Sequence, residues 1–397
     1  MAPLKITHCF TALRSLGGVE SVLRHHYAND ARFGLDSRFV IYFEAAGEPL
    51  ERVDFLDFSA RLSIRQMRRR AAAAFSKRPS QVVIYHGMWG MRTLAGPDLS
   101  DRRLLILHGT TPGMNTPLRA CGPWVDGILG VSQPLLRLVE QCVPRLAKER
   151  LAWLPYPVTA PAALPVVAPA PPPRRLVLGV CGRLTCEQKR IDRLPQLFAR
   201  LNAAGLDYRA EFLGDGAERP WLEGQLPDRH KFLFHGRKSG DDYWRILRGW
   251  DVILSVSDYE GTPIAVLEAL SQGVIPIYPR IDSGGESYAE EVGPGLVYAP
   301  EDFDQVLRTL EELRQLPESE FERLRQRGRA AVERHLGDAY MQTFGDFVRK
   351  MAAEPAVAPR QVPARSFPID RLPYAWLTTV EEMLLRLKKR QTPNAKR

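Results

Sequence analysis

Residues 251–279, DVILSVSDYEGTPIAVLEALSQGVIPIYP, decide the fold. The run VILSV is short, apolar and β-branched, as expected of a strand buried on both faces, and SDYEGTP after it is a polar turn. Pro263 suits the first position of a helix, where its missing N–H has no partner to lose. Ile264, Leu267, Glu268, Leu270 and Ser271 continue the helical spacing, Gly273 stops it, and VIPIY reads as the next strand. Such strand–helix–strand units build parallel doubly wound sheets, whose ligands sit beyond the carboxyl ends of the strands. Two carboxylates frame this unit, Glu260 in the turn and Glu268 two helical turns later, with seven residues between them. Both can face one crevice, where helix N-terminal amides favour an anion and carboxylates hold hydroxyl groups.

Working outward, 397 residues are more than one core usually fills, so two domains are expected. The boundary falls in APAALPVVAPAPPP, residues 160–173, a composition that favours an extended, semi-rigid linker. Before it, residues 1–159 read as one α/β domain. KITHCFTAL is its first strand, Gly17-Gly18 turns into a helix near Val19, and SRFVIYFE, QVVIYHGMWG, RLLILHGTTPG and VDGILGVS are further strands. After it, residues 174–352 read as a second α/β domain, opened by RRLVLGVCGRL and closed by helices from residue 302 onward. Residues 353–397 form a second Pro-rich linker, a short helix with an apolar stripe from Trp376 to Leu387, and a basic end. That stripe packs back on the body or lies on a membrane surface.

Charge is uneven. Residues 61–78 carry +7 and residues 360–397 carry +6 of the net +9, leaving −4 elsewhere. No nucleic-acid-binding motif accompanies these patches, so an anionic membrane surface, an acidic partner or simple solvation are the readings kept for them. In the first patch Ile64, Met67, Ala71 and Phe75 share one helical face beside Arg61, Arg65, Arg68 and Arg69. Cys9, Cys121, Cys142, Cys181 and Cys186 show neither C-x-x-C spacing nor a histidine cluster nearby, which fits reduced thiols in a cytoplasmic chain. The N-terminus lacks the pattern of a signal peptide, and no stretch reaches the ~18 apolar residues of a membrane span. A chain that is soluble, or peripheral on the inner face of the membrane, is expected.

The pair Glu260 and Glu268 within EGTPIAVLEALSQGVIP, with GRLTCEQKRIDRL at residues 182–194, resembles the retaining glycosyltransferases of family 4 (glycosyl transferases group 1). LGDGAER at 213–219, GGVE at 17–20 and VDGILGVS at 125–132 extend the resemblance over most of residues 4–350. It implies the α/β GT-B fold, two Rossmann-like domains facing a cleft, with a C-terminal helical tail added in this chain. The first domain would take the acceptor and the second a nucleotide diphosphate sugar.

Site residues follow from that resemblance. Arg183 and Lys189, a fixed cation pair behind a strand, would meet the leaving diphosphate as charge builds on it. Glu268 would hold the ribose hydroxyls, and Glu260, Gly261, Thr262 and the amides near Ile264 the transferred sugar and its phosphates. Gly236 and Arg237 are candidate base contacts. Gly18 is a candidate phosphate contact or an ordinary tight turn. His108 would lie near the reacting sugar, whereas His86 reads as a structural histidine capping a turn. Asp192 reads as a helix cap, as does Asp302 of the D-x-D at 302–304, so no metal site is expected. The expected function is retaining transfer of a sugar to a glycan or lipid-linked acceptor in cell-envelope polysaccharide synthesis, with no cofactor. The alternatives are a nucleotide-sugar epimerase of the same fold and a non-catalytic sugar-nucleotide-binding or scaffold protein.

Overall fold

The computed structural model describes residues 2–15, 17–91, 100–154, 156–159, 161, 171–336, 338–359 and 373–374. Two fully parallel sheets organise them. The first has strands β1 (Leu4–Phe10), β2 (Leu35–Ile41), β3 (Val53–Phe55), β4 (Val82–His86), β5 (Arg102–Leu107), β6 (Gly127–Gly130) and β7 (Leu151–Trp153), in the order 3-2-1-4-5-6-7. The second has β8 (Leu176–Cys181), β9 (Tyr208–Leu213), β10 (Phe232–Gly236), β11 (Val252–Leu254), β12 (Ile275–Pro279) and β13 (Val297–Tyr298), in the order 10-9-8-11-12-13. Central strands such as VVIYH and IPIYP are buried at every position, which is why they read as unbroken apolar runs rather than alternating ones. Each order reverses once, between β1 and β4 and between β8 and β11, and a crevice opens at each reversal.

The decisive stretch folds as read, with one shift. Pro263 is the N-cap, in extended conformation, and the helix runs Ile264–Ser271, one residue later than its sequence suggested. The basic segment is also helical, Ile64–Lys77, closed at its start by a reciprocal capping box between Ser63 and Gln66. Its apolar stripe, Met67, Ala71, Ala74 and Phe75, is buried in the first domain's core, so only its arginine face remains for an outside partner. Tyr374 is pinned here as well, its N–H donating to the Leu62 carbonyl at 2.9 Å and its hydroxyl accepting from Trp89 Nε1 at 3.1 Å. The stripe from Trp376 to Leu387 and most of the 160–173 linker lie outside the described residues.

The last helix corrects the domain reading. Ala339–Ala353, assigned by sequence to the second domain, buries Tyr340, Phe344, Phe347 and Met351, and that face covers the first sheet. Phe347 and Met351 crowd Gly127 of β6, where an added methyl group would come within 3.1 Å of both. Beyond the helix, the amides of Val357 and Ala358 donate to Asp126 at 2.8 and 3.0 Å. The chain thus passes between domains twice, once through the linker and once near residue 336.

Phe344 is fully buried, its ring centroid 4.3 Å from that of His26 and 5.8 Å from that of His8. Phe344→Ala is therefore expected to cost about 3–5 kcal/mol. Chemical denaturation checks this; a loss under about 1 kcal/mol would show that the returning helix is not part of the first domain's core.

Candidate active site

The site is built on the turns that follow β8 and β11. After β8 comes the Gly182-Arg183 turn, and then a run of cations that clamps the 255–262 turn. Lys189 Nζ reaches Glu260 Oε1 at 2.6 Å, Arg190 Nη1 reaches Asp258 Oδ2 at 2.7 Å, and Arg193 Nη1 reaches Asp258 Oδ1 at 2.6 Å. Asp192 pairs with Arg190 and caps nothing, since the following helix Leu194–Ala203 has Arg193 as its N-cap. Asp302 does cap, accepting from the Gln305 N–H at 3.0 Å.

Glu260 is buried, and its carboxylate accepts from Lys189, from Ser257 Oγ at 2.8 Å and from Gln188 Nε2 at 3.3 Å. A carboxylate has about four lone-pair positions, so one remains for a ligand hydroxyl. Lys189 spends one of its three ammonium donors here and keeps two. Arg183 is exposed and hydrogen-bonds Gln188 Oε1 at 3.1 Å, which places it in the same network. The cations expected at a diphosphate and the carboxylate expected at sugar hydroxyls, assigned separately from sequence, are one connected group.

Glu268 lies on the helix behind the turn. The Tyr243 hydroxyl donates to Glu268 Oε2 in a short hydrogen bond and lies 3.8 Å from Cys181 Sγ. Burial lifts the Glu268 carboxyl to about 7, against the opposing pull of the Tyr243 hydrogen bond. Burial and the Glu268 charge push the Cys181 thiol up to about 12. Sequence reading missed Tyr243: it sits on helix Gly240–Arg248, and its only signal was an aromatic pair, Tyr243-Trp244, after the acidic start GDD.

The turns after β9 and β10 are stitched by glycines. Gly214, after β9, has φ +145°, donates its N–H to the Gly236 carbonyl at 2.9 Å, and has no room for a side chain, since an added methyl carbon would sit 1.9 Å from the Gly182 carbonyl oxygen. Gly236 itself has φ +67°, and Arg237 beside it is exposed.

The first domain closes on this group. Gly18 opens helix Gly18–Asn29, and a methyl added to it would lie 3.2 Å from Ile264 Cδ1. Gly109 and Gly261 form an isolated antiparallel bridge, and Thr110 Oγ1 donates to the Glu260 carbonyl at 2.9 Å. Thr262 turns its hydroxyl to the Val131 carbonyl at 2.6 Å, so its O–H proton serves the domain contact. His108 is also corrected: Nε2 is engaged by His86 at 3.0 Å and Nδ1 by the Tyr156 hydroxyl at 2.6 Å, which leaves no ring nitrogen for a sugar. His86 is buried and structural. A cavity of about 610 Å³ opens nearby, lined by Arg137, Trp153, Arg280, Glu286 and Arg334 among others. It includes Thr262 but none of Gly18, Arg183, Lys189, Glu260 or Glu268, so the chemistry and that volume do not coincide. Among the described residues, His8, His26 and His86 are the group whose ligand atoms, within 4.8 Å of one another, are close enough to hold a metal; they lie in the first domain's core.

Two doubly wound sheets meeting across a cleft in this way are the GT-B fold. The lipopolysaccharide outer core galactosyltransferase WaaB shares it, with a TM-score of 0.64 and 18% identity over 87% of this chain and 99% of that one. So does the sucrose-phosphate synthase of Thermosynechococcus elongatus, with a TM-score of 0.69 and 16% identity over 89% and 100%. Anabaena Alr3699/HepE, solved with UDP-glucose, matches with a TM-score of 0.65 and 14% identity over 88% and 100%. Within that class, residues 168–331 match the family Glycosyl transferases group 1, which takes in the Arg183, Lys189, Glu260 and Glu268 cluster. An uncharacterized glycosyltransferase of Methanocaldococcus jannaschii, MJ1607, is 33% identical over 124 residues, a stretch that spans 30% of this chain and 30% of that protein.

Gly214→Ala should displace the Gly182-Arg183 turn and cost roughly 1–3 kcal/mol as overpacking. Thermal melts check it, and an unchanged melting temperature would mean that the turn is free to move aside.

Proposed function

We propose that this protein is a retaining glycosyltransferase that moves a sugar from a nucleotide diphosphate sugar to a glycan or lipid-linked acceptor of the cell envelope. The observation that carries this reading is the single network of Arg183, Gln188, Lys189 and Glu260 lying against the N-terminus of helix Ile264–Ser271, with Gly18 facing Ile264 across the cleft. A diphosphate placed there meets two free ammonium donors of Lys189, the Arg183 guanidinium and helix amides, all fixed before charge develops. Glu268 takes the ribose diol and Glu260 offers its remaining lone pair to a sugar hydroxyl. Gly236 and Arg237 border the base. The leaving phosphate accepts the acceptor's proton on the same face, so no protein base, metal or cofactor is required. HepE was solved with UDP-glucose, which supports a nucleotide-sugar donor here. Exposed Arg65 and Arg69 on helix Ile64–Lys77 suit an anionic membrane surface, by charge alone since the apolar face is core. No described helix is long and apolar enough to cross a membrane.

Thermal-shift screening of UDP-, GDP-, ADP- and dTDP-sugars tests the reading at its base, because a ligand at 100 times its dissociation constant stabilises by about 2.7 kcal/mol. Stabilisation by none of them would overturn it. With the stabilising donor, Lys189→Ala and Arg183→Ala should each lower turnover on the order of 10²-fold or more, with smaller changes in donor binding.

Glu268 makes nucleotide binding pH-dependent. Its folded-state value near 7 lies above the ordinary 4.5, so the free protein holds this proton over that window and its stability falls as pH rises through it. A ribose diol donates best to the ionised form, so binding should release the proton and weaken as pH drops below 7, by roughly fivefold between pH 7 and 6. Calorimetry of the nucleoside diphosphate reads this directly. The Glu268-dependent part should vanish in Glu268→Gln, and its midpoint should move to higher pH in Tyr243→Phe, where the hydrogen bond that favours the charged form is lost. Identical pH profiles in the wild type and Glu268→Gln would remove Glu268 from the ribose site.

A further inference from the structure

The first domain holds a continuous chain of hydrogen bonds that the transfer chemistry does not use. Asp30, fully buried, receives His8 Nε2 at 3.0 Å on one oxygen and His26 Nδ1 at 2.9 Å on the other. From His8 the chain runs through Nδ1 to His86 Nε2 at 2.8 Å, from His86 Nδ1 to His108 Nε2 at 3.0 Å, and from His108 Nδ1 to the Tyr156 hydroxyl at 2.6 Å. From His26 the other branch runs through Nε2 to the Tyr340 hydroxyl at 2.7 Å. His8 and His26 are fully buried, and His86, Tyr156 and Tyr340 nearly so.

We propose that Asp30 orders the protons of this chain and through it positions His108 and Tyr156 at the cleft. An ionised carboxylate only accepts, so both neighbouring ring nitrogens must carry hydrogen. A neutral imidazole donates from one nitrogen and accepts at the other, and each bond then fixes the next. His86 must donate to His8, His108 to His86, and Tyr156 to His108; Tyr340 must donate to His26. His8, His86 and His108 are therefore Nε2–H tautomers, and His26 is the Nδ1–H member of this chain. Burial favours the neutral rings, since it lowers the proton affinity of His26, His86 and His108.

Both ends of the chain meet the interdomain connections. Tyr156 precedes the linker, and its carbonyl accepts from His335 Nδ1 at 2.7 Å on the returning segment. Tyr340 lies in the first turn of the returning helix Ala339–Ala353. His108 adjoins Gly109, which bridges Gly261 of the active-site turn. Asp30 is thus a positioning residue: it touches nothing reactive, but it fixes the strand end on which the Glu260 turn rests.

Nitrogen-15 NMR of the imidazoles in the full-length protein at pH 8 tests the ordering without any variant. Nε2–H signatures for His8, His86 and His108 and an Nδ1–H signature for His26 are expected. Nδ1–H tautomers at His86 and His108 would overturn the proposal, as would one equivalent of zinc by elemental analysis with these N–H signals missing, because a metal would then replace the shared protons.

Asp30→Asn, isosteric but able to donate, should flip at least one neighbouring ring. The catalytic arm rests on the glycosyl-transfer reading and uses whichever of UDP-, GDP-, ADP- or dTDP-glucose stabilises the protein most. There kcat should fall at least tenfold in Asp30→Asn with KM for the donor changing less than twofold. Tyr156→Phe should act in the same direction, and the double variant should lose less than the product of the two single losses. Full kcat in folded Asp30→Asn with flipped tautomers would overturn the positioning role. Absence of turnover in the wild type would count against the transfer reading alone and leave the tautomer test standing.

Discussion

Glu260 is the point through which the two domains and the site are held together. Its carboxylate is bound by Lys189 and Gln188 from the turn after β8 and by Ser257 from the end of β11, while its carbonyl accepts from Thr110 of the first domain. One residue thus joins three strand ends and both sheets. A carboxylate that is 6% exposed is costly to keep charged, and the Lys189 ammonium at 2.6 Å is what offsets that cost. Removing either partner strands the other, which is why the cation run at 189–193 and the 255–262 turn are one structural unit as well as one site.

Much of this was legible because it is local. Buried parallel strands leave apolar runs, turns leave glycine and proline, and strand ends carry polar residues, so the strands, the 255–262 turn and the residues on it followed from neighbours in sequence. Thr262 and His108 were read correctly as turn and strand-end residues, but their side-chain partners, Val131 and the His86–Tyr156 pair, come from elsewhere in the chain. No local pattern specifies such a partner. The Asp30 chain is the extreme case, joining residues as far apart as His26 and Tyr340.

Amphipathic faces show a second limit. The stripes on helices Ile64–Lys77 and Ala339–Ala353 announce that something covers them, but an apolar face is the same whichever surface it meets. In the first helix the occupant is the domain's own core, and in the second it is the sheet of the other half of the chain. Ser63-x-x-Gln66, missed in the sequence reading, is by contrast a specific signal, since a capping box defines both its partners by spacing.

Before any ligand arrives the site already balances its own charge. Lys189 and Glu260 neutralise one another, and Arg183 leans on a neutral glutamine, so the turn is stable with the cleft free to solvent. A diphosphate placed against this pair does not have to break it, because Lys189 keeps two donors and the helix amides are fixed by the backbone. In the proposed reading its charge meets a Lys189 already fixed by Glu260, and charge that is placed beforehand is the condition under which electrostatic stabilisation acts on a transition state more than on a ground state. The same geometry limits Glu260. With three of about four lone-pair positions occupied, its carboxylate has room to accept from about one further hydroxyl.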